Sequence, residues 1–169
     1  MTHSTRRSFI KGSIAASAAF TIAGTRSSGR VLGANETIRI GVAGLNGRGS
    51  SHVGEFSKMK GVQITYLIDP DTRTFKKHLG TIEKNGGNTP QCVQDVRKAL
   101  ESKELDAISI ATPNHWHSLM AIWACQAGKD VYVEKPVSYT IWEGRQMVAA
   151  ARKYGRVVQA GTQARSSPV

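Results

Sequence analysis

The sequence has little cysteine: Cys92 and Cys125 are the two among 169 residues. So sparse a set excludes a disulfide-stapled scaffold. Cys92 falls near an expected strand and Cys125 in an expected helix, so two buried free thiols are a simpler expectation than a bridge. No Cys/His cluster has metal-ligand spacing, and no metal is expected. His115 and His117 are two apart on an expected helix and point different ways. Aromatic residues make up 7% and do not alternate with basic ones as a stripe, which argues against a nucleic-acid partner. The uncharged run Gly12 to Ile22 is too short and too mild to span a membrane.

What is present centres on Gly41-Val42-Ala43-Gly44-Leu45-Asn46-Gly47-Arg48-Gly49. A β-rich run beginning at Ile38 precedes it, and Ser50 to Lys60 can be helical. Val62 to Ile68 reads as a second strand that ends on Asp69. Strand, glycine turn, helix, strand and acid is the order a dinucleotide-binding βαβ unit needs. The chain must reverse sharply at Gly44, a pyrophosphate must approach free N–H groups at the helix start, and Gly49 must let helix and strand pack closely. Gly44 and Gly49 match the first and third glycines of the fingerprint, while the middle position is Asn46. Asn tolerates a left-handed backbone better than most residues, and Gly47 follows it. Asp69 lies about 20 residues on, where a carboxylate accepts hydrogen bonds from a ribose.

Further along, Pro70 is expected to open a helix running to Lys84, and Asn85 to Asn88 is a turn cluster. Gln91-Cys92-Val93 reads as a short strand, and Asp95 as the cap of a helix to Ser102. Asp106 to Ala111 has the apolar character of a strand buried on both faces of a parallel sheet. Thr112-Pro113-Asn114 breaks it, and His115 to Gln126 is the next helix, stopped by Gly128. Asn114 could cap that helix. Trp116 and Trp123 read as packing residues. Asp130 to Val133 is a fifth strand and Val157 to Ala160 a sixth. Between them, Thr140 to Lys153 is a helix with apolar Ile141, Val148 and Ala151 among polar residues, ended by Gly155. The alternation predicts an α/β fold: a Rossmann-type, doubly wound parallel sheet of six strands in the order 3-2-1-4-5-6 with helices on both faces.

Acid is missing from the first 34 residues, which hold Arg6, Arg7, Lys11, Arg26 and Arg30. Of the formal charge of +11, +6 belongs to the remainder, read mostly as solvated surface with some share in holding an anionic dinucleotide. Thr5-Arg6-Arg7-Ser8-Phe9-Ile10-Lys11 closely matches a twin-arginine export signal. Residues 1–34 are therefore read as signal peptide and linker, with cleavage at Gly33-Ala34 or in the Ala23 to Thr25 region. Residues 35–169 are read as one domain. The expected partner in export is the twin-arginine translocase, and the expected destination the periplasm. That route carries folded proteins, which suits a domain that must load a cytoplasmic dinucleotide first.

Over about Thr37 to Ser166 the sequence resembles the N-terminal domain of the glucose–fructose oxidoreductase, inositol dehydrogenase and rhizopine-catabolism group (Gfo/Idh/MocA). The resemblance rests on the glycine turn with Asp69, on Ala111-Thr112-Pro113-Asn114-His115-Trp116-His117, and on Ala127 to Pro136 with its Glu134-Lys135-Pro136 ending. Gln159 to Arg165 also looks like the group's sixth-strand segment. It implies that Gly44, Asn46, Gly47, Arg48 and Gly49 bind pyrophosphate, and that Asp69 binds the adenosine ribose. NAD is then favoured over NADP, because a carboxylate repels a 2′-phosphate, although Arg73 could soften that preference. It further implies that Thr112, Pro113, Asn114 and His117 line the cofactor cleft, and that Glu134 and Lys135 lie beside the nicotinamide. A cis bond is implied before Pro136. Lys135 is the implied catalytic residue, orienting a substrate hydroxyl and stabilising oxyanion charge.

The implied activity is NAD(P)-dependent hydride transfer to or from a sugar or polyol hydroxyl. Members of the group continue into a larger α+β domain that supplies most of the substrate pocket, an acid–base Asp/His pair and the oligomer interface. That domain is not found before Val169, so the chain is expected to be a truncated product or one part of a split protein. A catalytically incomplete NAD-binding module is one alternative. An NAD-dependent glycosidase is another, and Lys135 counts against it, because similar glycosidases tend to lack lysine in the Glu-x-Pro position.

Overall fold

The computed structural model describes residues 37–162. The segment read as a signal peptide, with its two candidate cleavage regions, and the Gln163-Ala164-Arg165 end of the sixth-strand segment lie outside the described residues. Six strands alternate with helices: β1 (Ile38–Ala43), α1 (Arg48–Phe56), β2 (Val62–Ile68), α2 (Phe75–Lys84), β3 (Gln91–Val93), α3 (Val96–Leu100), β4 (Ala107–Ile110), α4 (Asn114–Gln126), β5 (Asp130–Glu134), α5 (Ile141–Tyr154) and β6 (Val158–Gly161). The strands are parallel and ordered β3-β2-β1-β4-β5-β6. The order reverses between β1 and β4, the switch point at which such sheets bind ligands beyond their C-terminal ends.

Two apolar clusters cover the two faces, which is why the strands are apolar on both sides. On one face Ile40, Val42, Ile64 and Leu67 pack with Val53 of α1 and Ile82 of α2. On the other, Ala43, Tyr66, Ile68, Ile108, Ile110, Val131 and Val133 meet α3, α4 and α5 through Leu100, Ala121 and Met147. A register shift between Ile40 and Gly41 lets β2 follow β1. Burial of each Leu or Ile here contributes roughly 1.5–3 kcal/mol.

The boundaries moved where backbone chemistry outranked pattern. The helix after the glycine turn starts at Arg48 rather than Ser50, because Gly47 (φ 68) closes the turn one step earlier. It ends at Phe56 rather than Lys60, as the chain turns into Gly61 (φ 74). Pro70 opens no helix: Asp71 caps a 3-10 turn at Thr72–Thr74 by accepting from the Arg73 N–H, and α2 begins at Phe75. The helix capped by Asp95 stops at Leu100, short of Ser102. Asn114 is the first residue of α4 and caps nothing, since Pro113 holds the cap position. In α5 the capping box of Thr140 and Glu143 forms, and Gly155 takes the left-handed C-cap. That helix buries Met147 and Ala150, while Ile141 (81% exposed) and Val148 (50%) face outward. Cys92 is exposed and Cys125 buried, so the expectation of two buried thiols holds for Cys125 alone. The short β3 lies on the sheet's edge, which leaves Cys92 uncovered.

Candidate functional site

The loops that leave β1, β2, β4 and β5 meet at one end of the sheet, and hydrogen bonds tie them together. The glycine turn is held at Leu45, which is fully buried. Its N–H donates to Asp69 Oδ2 at 2.7 Å, and its carbonyl lies 3.0 Å from His78 Nε2. Burial pushes the His78 pKa down, so the neutral ring donates to that carbonyl through its Nε2–H. Asp69 Oδ1 accepts from the Asp71 N–H at 2.9 Å. Asp69 is 7% exposed, so its carboxylate fixes both the glycine turn and the bend that follows β2.

Gly44 and Gly49 are glycines for steric reasons. A Cβ on Gly44 (φ 81) would lie 2.6 Å from the Ala111 carbonyl oxygen, and one on Gly49 1.7 Å from that of Gly44. Asn46 does not take up a left-handed backbone; Gly47 does so in its place. The departure from the fingerprint at Asn46 therefore leaves the turn intact. Asn46, Gly47 and Arg48 are exposed, and nothing lies within 4 Å of where a Gly47 Cβ would be. Among the described residues no side chain caps α1, which leaves its first N–H groups open to an anion.

Across the switch point, Thr112 Oγ1 is buried without a hydrogen-bond partner among the described residues. Pro113 and Asn114 are exposed at the uncapped start of α4. His117 lies beneath this edge, 1% exposed, with Nδ1 and Nε2 each 2.7 Å from a carbonyl oxygen, of Pro136 and Thr112 respectively. It joins the loop after β4 to the loop after β5. The Lys135–Pro136 bond is cis, as the resemblance implied. Lys135 is exposed just beyond the last residue of β5.

Glu134 is a second buried carboxylate at this edge, 5% exposed. Its Oε1 accepts from His52 Nε2 at 2.9 Å and from Arg48 Nε at 3.1 Å, and Oε2 from the Lys135 N–H at 3.3 Å. His52 Nδ1 lies 2.8 Å from the Ser109 hydroxyl. The Tyr132 ring meets His52 edge-on at 5.5 Å. Gly161 leaves room for this cluster, because a Cβ there would sit 2.9 Å from Tyr132 Oη and 3.1 Å from the Glu134 carboxyl carbon. Desolvation lowers the His52 pKa more than Glu134 raises it.

The turn residues Gly44 to Gly49, Asp69, Thr112, Pro113, Asn114, Glu134 and Lys135 thus share one edge, with His117 behind it. The Arg73 guanidinium, at the bend after β2, forms two bonds of 2.8 Å with Asp71, whose pKa it depresses. Sequence reasoning missed His52, His78 and Ser109. Two signals were available. His52 follows Arg48 by four residues, on the same helical face, and Ser109 is a hydroxyl inside an apolar strand.

The Gfo/Idh/MocA family model, described as oxidoreductase family, NAD-binding Rossmann fold, matches residues 38–162. A curated relative, glycosyl hydrolase family 109 protein 2 of Shewanella sp. (strain ANA-3), is 32% identical over 86% of this chain and 36% of its own length. Among solved structures, an NAD binding oxidoreductase from Klebsiella pneumoniae superposes with a TM-score of 0.66 at 25% identity, covering 78% of this chain and 36% of that one. Scyllo-inositol dehydrogenase from Lactobacillus casei, with bound NAD(H) and scyllo-inositol, superposes with a TM-score of 0.71 at 20% identity, covering 78% and 38%. The chain spans a little over a third of the length of these relatives. NAD is the cofactor of this fold, and the open α1 start and the unpartnered Thr112 hydroxyl fit such a ligand. By this match and this geometry the chain belongs to the Gfo/Idh/MocA oxidoreductase family, and residues 38–162 are its NAD-binding Rossmann domain.

Proposed function

We propose that this chain is the cofactor part of an exported protein that moves a hydride between NAD and the carbon of a sugar or polyol hydroxyl. The observation that carries the reading is the shared edge. An uncapped helix start, the Asp69 carboxylate, the unpartnered Thr112 hydroxyl, buried Glu134 and exposed Lys135 line the way from the β2 end to the β5 end. The first N–H groups of α1 and the Arg48 guanidinium hold the pyrophosphate. Asp69 takes the adenosine ribose with the lone pairs its two backbone donors leave free. The Asp69 carboxylate at the end of β2 and the Asp71 carboxylate in the bend after it repel a 2′-phosphate, so NAD is preferred to NADP. NAD, when bound, accepts or returns the hydride. Lys135 stabilises the oxyanion that develops on the substrate, and Glu134 places negative charge beside an oxidised nicotinamide. The twin-arginine motif supports export through that translocase to the periplasm.

The names of the curated relatives favour a second reading, an NAD-dependent glycosidase. Oxidising a sugar hydroxyl to a ketone acidifies the neighbouring C–H, so the same edge serves either a redox product or elimination of a glycoside. A catalytically incomplete NAD-binding module is the third. Calorimetric titration of the folded chain with NAD+ and NADP+ tests the common part, with NAD+ binding the tighter. Dehydrogenase assays on a panel of sugars and polyols, beside release from nitrophenyl glycosides, separate the rest. NADH formation supports the dehydrogenase, nitrophenol release the glycosidase, and binding without turnover the module. Absence of affinity for either coenzyme refutes all three.

A further inference from the structure

Glu134 is a buried carboxylate whose Oε1 faces donors from two places on α1. Arg48 is half exposed and belongs to the turn that faces the pyrophosphate, so a bound phosphate competes with Glu134 for its guanidinium. His52 is 7% exposed and held on every side. From β4, the Ser109 hydroxyl meets Nδ1; from β5, Tyr132 meets the ring edge and Glu134 takes Nε2; on α1 itself, Phe56 lies 5.9 Å away and Arg48 is the neighbouring charge. A Ser109 hydroxyl that donates to Nδ1 puts the ring proton on Nε2, where it points at the carboxylate.

We propose that His52, oriented by Ser109, is the positioning residue that keeps the Glu134 carboxylate aimed at the nicotinamide end of the cofactor cleft when Arg48 turns to phosphate. This rests on the cofactor reading above. The physical requirement is plain. A buried carboxylate that has lost both α1 donors to its Oε1 is more readily protonated or turned outward, and either change removes negative charge from beside a positively charged oxidised nicotinamide. A neutral reduced ring loses less, and ADP-ribose, which has no nicotinamide, loses nothing. His52 and Ser109 thereby tie the ring-binding end of the cleft to α1, whose start holds the phosphates.

The test is calorimetric titration of the full chain and its variants with NAD+, NADH and ADP-ribose. His52→Leu keeps the volume and removes the donor; it is expected to weaken NAD+ about tenfold, the scale of one lost bond to a charged group, with NADH less affected and ADP-ribose within about twofold. His52→Gln restores both partners, since its amide N–H reaches Glu134 and its carbonyl accepts from Ser109, so NAD+ affinity returns to that of the unaltered protein. Should His52→Leu fail to fold, His52→Asn, too short to reach Glu134, is measured in its place with the same expectation. Equal weakening of NAD+ and ADP-ribose would assign His52 a purely structural role and overturn the proposal, as would unchanged NAD+ affinity in the Leu or Asn variant. An unaltered protein that binds none of the three ligands would overturn the cofactor reading itself, and is told apart by that control.

Discussion

Replacing Asp69 with alanine should destabilise the fold before it touches any ligand. The side chain accepts from the Leu45 N–H at 2.7 Å and the Asp71 N–H at 2.9 Å. Hydrogen bonds to a charged group are each worth roughly 1.5–3 kcal/mol, and a buried donor left unpaired costs about 1–3 kcal/mol. Leu45 is fully buried, so its N–H has no route to water, whereas Asp71 can be rehydrated. Leu45 also stays held by His78 on its carbonyl, so part of the turn survives. The expected loss is therefore about 3 kcal/mol, a large share of the roughly 5–15 kcal/mol available to a domain. It corresponds to a fall in Tm of about 10 °C for a chain of this size. Asp69→Asn should lose about half as much, because one amide oxygen can still accept while the NH2 group faces the other donor. Urea unfolding followed by tryptophan fluorescence measures both. An Asp69→Ala protein within about 0.5 kcal/mol of the unaltered one would refute the view that this carboxylate fixes the turn. Calorimetry on the folded fraction then asks the separate question of the ribose. A further loss of about 1–3 kcal/mol in NAD+ affinity is expected, and unchanged affinity would mean the carboxylate does not touch the ribose.

Other expectations follow from single positions. Gly49→Ala forces a Cβ to 1.7 Å from the Gly44 oxygen and should cost about 3 kcal/mol or more, whereas Gly54→Ala, mid-helix with open space around it, should stabilise by about 0.5–1 kcal/mol; urea midpoints moving the same way would refute this. Burial holds the pKa values of His52 and His78 below the ordinary 6.5, so between that value and their folded values the unfolded chain binds more protons. Stability should thus be intact above 6.5 and decline as pH falls beneath it, less steeply in His52→Gln; a flat profile from pH 7 to 5 would contradict the burial of neutral rings. Lys135→Met should leave NAD+ affinity within about threefold while abolishing turnover of any substrate found, since an exposed amine at the end of β5 supports no packing. Turnover retained in that variant would remove Lys135 from the chemistry.

Much of the fold was legible because its causes are local. Apolar runs such as Ile108 to Ile110 report burial on both sheet faces, and Thr140 with Glu143 announces a helix start. Steric needs also leave a mark: Gly44 and Gly49 stand where any Cβ would strike backbone. Where two local rules competed, reading went astray. Pro70 suits a first helical turn, yet the Asp71 cap set the start. Ile141 and Val148 are apolar residues of the last helix, yet the sheet took its Met147 and Ala150 side. An apolar residue declares that it can be buried, and the neighbours decide whether it is.

Backbone periodicity, turn stereochemistry and the spacing of Gly44, Gly49 and Asp69 were therefore enough to specify a parallel sheet with a dinucleotide edge, since each acts over a few residues. Only the closed fold decided the partners of the buried polar groups. His52 finds Ser109 57 residues away and Glu134 82 residues away, and Asp69 reaches back 24 residues to the Leu45 N–H. Such pairs form because a buried donor must find an acceptor once water is gone, and which acceptor lies within reach is set by how the sheet brings distant loops to one end.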